Sequence, residues 1–225
     1  MNRLQVLQAL MSKKHLHNYL EIGVFNGHIF FRIKSRFKIA VDPEFQFDVL
    51  RKLGKTIVNP YNLYNRYFEK TSDDFFAEDA SAVFKNEPLQ LALVDGMHEY
   101  GFALRDVEHS LKYMSDDGVI VIHDCNALTK KSACSFEEWK ENNFEGTWNG
   151  DTWKAILHLR SLRPDLTCFV LDCDHGLGIV VKKPSTTLPF TKEQVEKFTW
   201  EDMDAHREEW LGLKPASYFQ EFFQL

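Results

Sequence analysis

An α/β fold built on a mostly parallel sheet follows from three features of the sequence. Short apolar runs recur and end in polar residues: Tyr19 to Ile22, Phe37 to Asp42, Leu89 to Asp95 and Val119 to Asp124. Segments with helical spacing separate most of these runs, so that strand and helix alternate. Two further runs, 166–171 and 178–181, flank Asp172-Cys173-Asp174-His175-Gly176 and read as a β-hairpin, an antiparallel pair closing a parallel sheet.

The first run carries the most chemistry. Tyr19, Leu20 and Ile22 suit a buried strand, and Gly23 and Gly27 let the backbone turn sharply and come close to a ligand. Phe30, Phe31 and Ile33 then predict a helix packing back on the sheet. Strand, glycine turn and helix form the geometry of a nucleotide-like cofactor site, although E-x-G-x-x-x-G is not the three-glycine dinucleotide fingerprint. Ahead of this unit, Leu4, Val6, Leu7 and Leu10 give residues 2–13 an amphipathic helix.

The second run closes at Asp42, and Pro43 ends it because proline has no amide proton to donate. A carboxylate at the end of a second strand, about 20 residues past the glycine turn, accepts hydrogen bonds from ribose hydroxyls. The plainer reading is a solvated strand end. Residues 44–65 read as irregular and polar, and 67–72 as a third strand. Ser72 reads as the N-cap of a helix with acidic residues in its first turn, and is also a candidate for contact with an adenine ring.

The stretch Leu91-Ala92-Leu93-Val94-Asp95-Gly96-Met97-His98-Glu99-Tyr100 delivers a carboxylate and an imidazole to a strand end, where open α/β sheets bind ligands. A helix over 102–114 follows, with Leu104, Val107 and Leu111 on one face, stopping at Ser115-Asp116-Asp117-Gly118. Val119 to Ile122 then leads into His123, Asp124, Cys125 and Asn126. Asp95, His98, His123, Asp124 and Asn126 thus share one edge. A lone histidine is usually structural, but two strands ending this way beside a glycine turn point to a site.

Residues 127–152 hold Phe136, Trp139, Phe144 and Trp148 and suit either a lid or a plain surface excursion. Asp151 is placed as N-cap of a helix to Leu162. Asp172, Asp174 and His175 are assigned to the hairpin turn, on the side away from the site. Residues 192–207 read as one polar helix, and the aromatic stretch 217–223 as a tail that docks on its own domain or on a second subunit.

Composition narrows the function. With 27 basic and 33 acidic residues the net charge is −6, and no basic run appears, which argues against nucleic acid as partner and for a small-molecule substrate. Four cysteines without a C-x-x-C pair fit reduced thiols and a cytoplasmic location. No apolar stretch is long enough for a signal or membrane segment, so no membrane partner is expected. At 225 residues one domain is expected, with an N-terminal helix over 1–14, a core over 15–183 and a helical extension over 184–225.

Together, Tyr19 to Gly27, Ile39 to Pro43, Leu91 to Tyr100 and Gly118 to Asn126 resemble the class I S-adenosylmethionine-dependent methyltransferases. The V-D-G-x-H-x-Y and H-D-x-N segments look most like the branch that includes sugar O-methyltransferases. The resemblance implies a Rossmann-like, seven-stranded sheet with helices on both faces. It implies that Glu21, Gly23 and Gly27 hold the amino-acid end of S-adenosylmethionine and Asp42 its ribose, with Ser72 and Asp95 as further cofactor candidates. It implies His98 as general base, a task suited to imidazole. In metal-dependent relatives magnesium is held at positions matching Asp95, Asp124 and Asn126. Here Cys125, a poor ligand for a hard cation, separates the last two. A methyltransferase acting on the hydroxyl of a sugar or glycoconjugate is the leading expectation. A cofactor- or nucleotide-binding subunit without catalytic activity stays open beside it.

Overall fold

The computed structural model describes residues 1–225, the side chain of Lys13 excepted. The chain divides into two compact units, one formed by residues 2–96 and 105–120, the other by 97–104 and 121–225 with Met1.

In the first unit, helix α1 (Arg3–Lys13) starts at a reciprocal cap: Asn2 Oδ1 accepts from the Gln5 amide and Gln5 Oε1 from the Asn2 amide, both at 3.0 Å. It buries Val6, Leu7 and Leu10. Strands β1 (Asn18–Ile22), β2 (Phe37–Asp42), β3 (Arg66–Glu69) and β4 (Leu89–Val94) are parallel, β1 lying between β2 and β4 and β3 flanking β2. β1 is buried on both faces, which explains its nearly continuous apolar run.

The expected helix after the glycine turn is a single 3-10 turn, Phe30–Arg32, with Phe30, Phe31 and Ile33 all buried. Helix α2 (Val49–Val58) replaces the irregular stretch expected over 44–65, with Asp48 accepting from the Arg51 amide at 2.8 Å. Helices α3 (Ser72–Glu78) and α4 (Ala80–Val83) follow β3. The N-cap of α3 is Thr71 rather than Ser72, its Oγ1 accepting from the Asp74 amide at 3.1 Å. Helix α5 (Tyr100–Tyr113) passes directly into β5 (Met114–Ile122), so 115–118 extend the strand rather than break the chain.

In the second unit, α6 (Phe136–Glu141) and α7 (Trp153–Leu162) precede the hairpin of β6 (Thr167–Asp172) and β7 (Leu177–Val181), which is antiparallel as expected. The single helix expected over 192–207 is broken into α8 (Lys192–Lys197), α9 (Trp200–Ala205) and α10 (Arg207–Leu211). Phe198 is extended, and Thr199 starts a new helix by accepting from the Asp202 amide at 3.3 Å. β8 (Lys214–Pro215) adds a short eighth strand parallel to β6, one more than the seven expected. Helix α11 (Tyr218–Phe223) packs its rings on the unit's own Phe169, with centroids 5.3 Å away for Tyr218 and 4.8 Å for Phe222. The strand order is β3-β2-β1-β4-β5-β7-β6-β8. Among the described residues no helix is long and apolar enough to cross a membrane.

Gly23 marks where β1 and β4 end together. Its φ is +82°, and a Cβ there would lie 2.0 Å from the Asp95 carbonyl oxygen. Gly23→Ala is expected to lower unfolding free energy by about 2–4 kcal/mol, from a forbidden backbone angle plus overpacking, read as a lower denaturation midpoint. Gly54→Ala, in the middle of α2 with open space around it, is the matched control and should stabilise by about 0.5–1 kcal/mol.

Candidate active site

The sequence candidates fall into both units, and each group is described within its own. In the first, Asp42 closes β2 with each carboxylate oxygen fixed by one amide: Oδ2 accepts from Phe25 at 2.7 Å and Oδ1 from Glu44 at 2.8 Å. This ties the glycine turn to the end of the second strand and leaves lone pairs on both oxygens for a further donor. Gly27, at φ +72°, completes the turn by donating to the Val24 carbonyl at 2.8 Å.

Glu21 is a different matter. Expected at the ligand, it is 2 % exposed and turned into the core, where the Tyr19 hydroxyl donates to its Oε2 at 2.5 Å. Burial pushes its carboxyl up to about 8, and burial together with Glu21 pushes the Tyr19 phenol well above its usual range. Ser72 likewise turns inward, to hydrogen-bond Asp106, whose carboxyl burial raises to about 7. Asp95, after β4, has Arg3 Nε 3.5 Å from its Oδ2.

The second unit gathers the histidines on Asp124. His123 Nδ1 lies 2.8 Å and His98 Nδ1 3.2 Å from Asp124 Oδ2, while Asn149 Nδ2 donates to Oδ1 at 2.5 Å. Asp124 takes the left-handed φ of 59°, the one-residue twist that turns its carboxylate back toward these donors at the end of β5. His98 Nδ1 also lies 2.8 Å from the Trp148 carbonyl oxygen. A carbonyl only accepts, so Nδ1 carries the proton and Nε2 the lone pair.

The segment around Trp148 holds His98 from several sides. The rings of His98 and Trp148 stack at 5.1 Å, and Trp148 stacks in turn on Trp139 at 5.1 Å with 10° between planes. The Asp151 amide donates to the His98 carbonyl at 3.1 Å, and Asp151 Oδ1 accepts from the Tyr100 amide at 2.6 Å. Asp151 is therefore a clamp on the His98 segment, not the helix cap that its sequence position suggested. The cap residue of α7 is Thr152.

Two further expectations are corrected. Asn126, placed with Asp124 as a metal ligand, faces elsewhere: its Nδ2 donates to Asp172 Oδ1 at 3.2 Å and its Oδ1 accepts from Arg207. The hairpin turn, placed away from the site, lies against the end of β5. The Cys125 and Asn126 amides donate to the carbonyls of Gly176 and His175 at 3.0 and 2.9 Å, and Asp174 Oδ1 is 3.9 Å from His123 Nε2. Asn149 and the Trp148 carbonyl were missed altogether. The only signal for them was the Asn-Gly turn dipeptide at 149–150.

Residues 20–125 match the family model described as a methyltransferase domain. The match lies within the part of the sequence whose motifs resemble that family. Among solved structures the fold is shared with the O-methyltransferase from Bacillus cereus in complex with SAH, at 15% identity and TM-score 0.57 over 81% of this chain and 82% of that one. It is shared with the O-methyltransferase TomG from Streptomyces achromogenes, involved in tomaymycin synthesis and solved with SAM, at 12% identity and TM-score 0.57 over 80% and 79%. The SAH-bound Podospora anserina methyltransferase PaMTH1 matches at 17% identity and TM-score 0.55 over 81% and 80%. No curated protein matches the sequence.

Glu21 sets a pH dependence of stability. Its carboxyl holds a proton up to about pH 8 in the folded chain and titrates near 4.5 when unfolded. Between these values the folded state binds the extra proton, so this contribution is fully present below the lower value and is lost as pH rises through the upper one. Glu21→Gln is expected to flatten the fall of the thermal midpoint across that window. An unchanged slope would show that Glu21 is ionised in the fold.

Proposed function

We propose that the protein is an S-adenosylmethionine-dependent methyltransferase that methylates a hydroxyl of a small substrate such as a sugar or glycoconjugate, with His98 as general base. The observation that carries this reading is the fixed tautomer of His98. Trp148 O and Asp124 Oδ2 both accept at Nδ1, which puts the basic lone pair on Nε2, the atom we assign to take the hydroxyl proton as the oxygen attacks. As the ring becomes cationic, the Asp124 carboxylate stabilises it. Asn149 and His123 hold that carboxylate in place.

When bound, S-adenosylmethionine supplies an already activated methyl group. The amide-oriented carboxylate of Asp42 fits its ribose hydroxyls, and the turn from Gly23 to Gly27 fits close approach by a ligand, whereas Glu21 is committed to Tyr19. The family match over residues 20–125 and the SAM- and SAH-bound neighbours of the same fold support this cofactor.

A cavity of about 330 Å³ in the second unit is lined by Glu99, Tyr100, Asp151, Lys154, Phe198 and Trp200; His98 does not line it, so it is a candidate for the part of the acceptor away from the reacting hydroxyl. Aromatic faces with carboxylates between them suit a ring bearing several hydroxyls. Magnesium does not fit these residues. It prefers an all-oxygen shell, yet Asp124 is occupied by two imidazoles and an amide, and the Asn126 oxygen is taken by Arg207. No step of the proposed reaction passes through a metal.

Calorimetric titration should show binding of S-adenosylmethionine and S-adenosylhomocysteine but not NAD, weakened about tenfold by Asp42→Ala, the order expected for a charge-assisted hydrogen bond. Loss of all binding to wild type would overturn the cofactor assignment. On a hydroxylated acceptor, His98→Ala should lower kcat about 10²–10⁴-fold with cofactor affinity unchanged. Full activity of that variant would remove His98 as base, and inhibition by a chelator would restore a metal to the mechanism.

A further inference from the structure

Helix α2 is inverted. Leu50, Leu53 and Ile57 fall at i, i+3 and i+7 and so form one stripe, yet they are 76, 58 and 83 % exposed, and no residue of the helix is buried. Lys52, on the opposite side, is turned to the protein: its Nζ sits 4.2 Å from the Tyr67 ring centroid and 5.4 Å from that of Phe47, while Arg51 beside the stripe is exposed. Val58, Leu63 and Tyr64 extend the apolar surface into the following turn, all more than half exposed. Single exposed leucines are ordinary, but eight large apolar side chains bared within the sixteen residues 49–64 mark a surface that is covered by something.

The charges around it decide what. From 49 to 68 the chain carries Arg51, Lys52, Lys55 and Arg66 and no carboxylate, although the whole protein is acidic. A second copy docking patch to patch about a two-fold axis would set cations against cations. An anionic surface is complementary to them, and tyrosine beside leucine, isoleucine and lysine is the composition of helices that lie in a lipid headgroup layer. We propose that α2 and the turn after it dock on the surface of a bilayer containing anionic phospholipid, with the Leu50–Leu53–Ile57 stripe entering the headgroup–acyl boundary and the exposed Arg51 and Arg66 facing phosphates. This replaces the expectation, drawn from the lack of a membrane segment, that the protein has no membrane partner. A helix of ten residues lies on a bilayer without crossing it.

Flotation of the full chain with phosphatidylcholine vesicles, with and without phosphatidylglycerol, tests the proposal. Wild type should float with the phosphatidylglycerol-containing vesicles and much less with phosphatidylcholine alone, and high salt should release it. The pair Leu50→Asp and Ile57→Asp, on exposed positions, should lower vesicle binding at least tenfold. The pair Arg51→Glu and Arg66→Glu should lower it about tenfold or more. Circular dichroism and cofactor titration check that each variant is folded. The proposal fails if wild type floats with neither vesicle, if the Leu50 and Ile57 variant floats as well as wild type, or if light scattering finds a dimer that this variant dissociates, which would assign the stripe to a second copy.

Discussion

The candidate site depends on one carboxylate. Asp124 is 4 % exposed and would be costly to bury unpaired, so it gathers donors: the imidazoles of His98 and His123 on one oxygen and the Asn149 amide on the other. Satisfying Asp124 and fixing the tautomer of His98 are therefore the same act. The Trp148 carbonyl adds the second acceptor, and the stack of Trp139 on Trp148 holds that carbonyl in place. A base whose proton-bearing nitrogen is specified by two acceptors needs no reorganisation before it accepts a proton on the other.

A parallel arrangement supports the cofactor end of the first unit. The short turn at Phe30–Arg32 leaves carbonyl oxygens that no longer helix satisfies, and buried side chains supply the donors. Lys38 Nζ donates to the carbonyls of Phe30 and Ile33 at 2.9 and 3.1 Å and to Asn62, and Asn59 and Asn62 donate to the Phe31 carbonyl at 3.0 and 3.1 Å. Burial lowers the Lys38 ammonium to about 7 and raises Glu21 to about 8. Polar groups placed in the core beneath the glycine turn thus brace its backbone from below and leave Asp42, at the strand end, to face outward chemistry.

Much of the architecture was legible because periodicity and strand-end chemistry are local. β1, β2, β4 and the hairpin appear where apolar runs end at a carboxylate or at turn residues, and Asp42 and His98 stand where strand-end logic places them. Two errors share a cause. Glu21 and Ser72 have the right residue type and position for a ligand, but the rotamer that turns each inward is set by Tyr19 and by Asp106, which local pattern does not weigh. The irregular reading of 44–65 has another cause: the Asp48 cap and the Leu50, Leu53 and Ile57 spacing of α2 are a local helical signal that polar neighbours masked, and the broken helices from 192 onward were read as one because the caps at Thr191 and Thr199 compete with the polar pattern.

By itself, the sequence determined the α/β class, the glycine turn, the carboxylates and histidines at the strand ends, and the resemblance to class I methyltransferases. These follow from side-chain periodicity and from which residues can end a strand, both properties of neighbouring positions. Only the tertiary structure decided that Asn149 and Trp148 complete the environment of His98, that Asn126 turns to Arg207 and Asp172, and that Glu21 is a core carboxyl. It also decided that the hairpin turn lies against the end of β5. Each of these depends on hydrogen bonds between residues distant in sequence or on the orientation of one buried side chain. The donor that satisfies a buried acceptor is chosen by the packing of the whole unit.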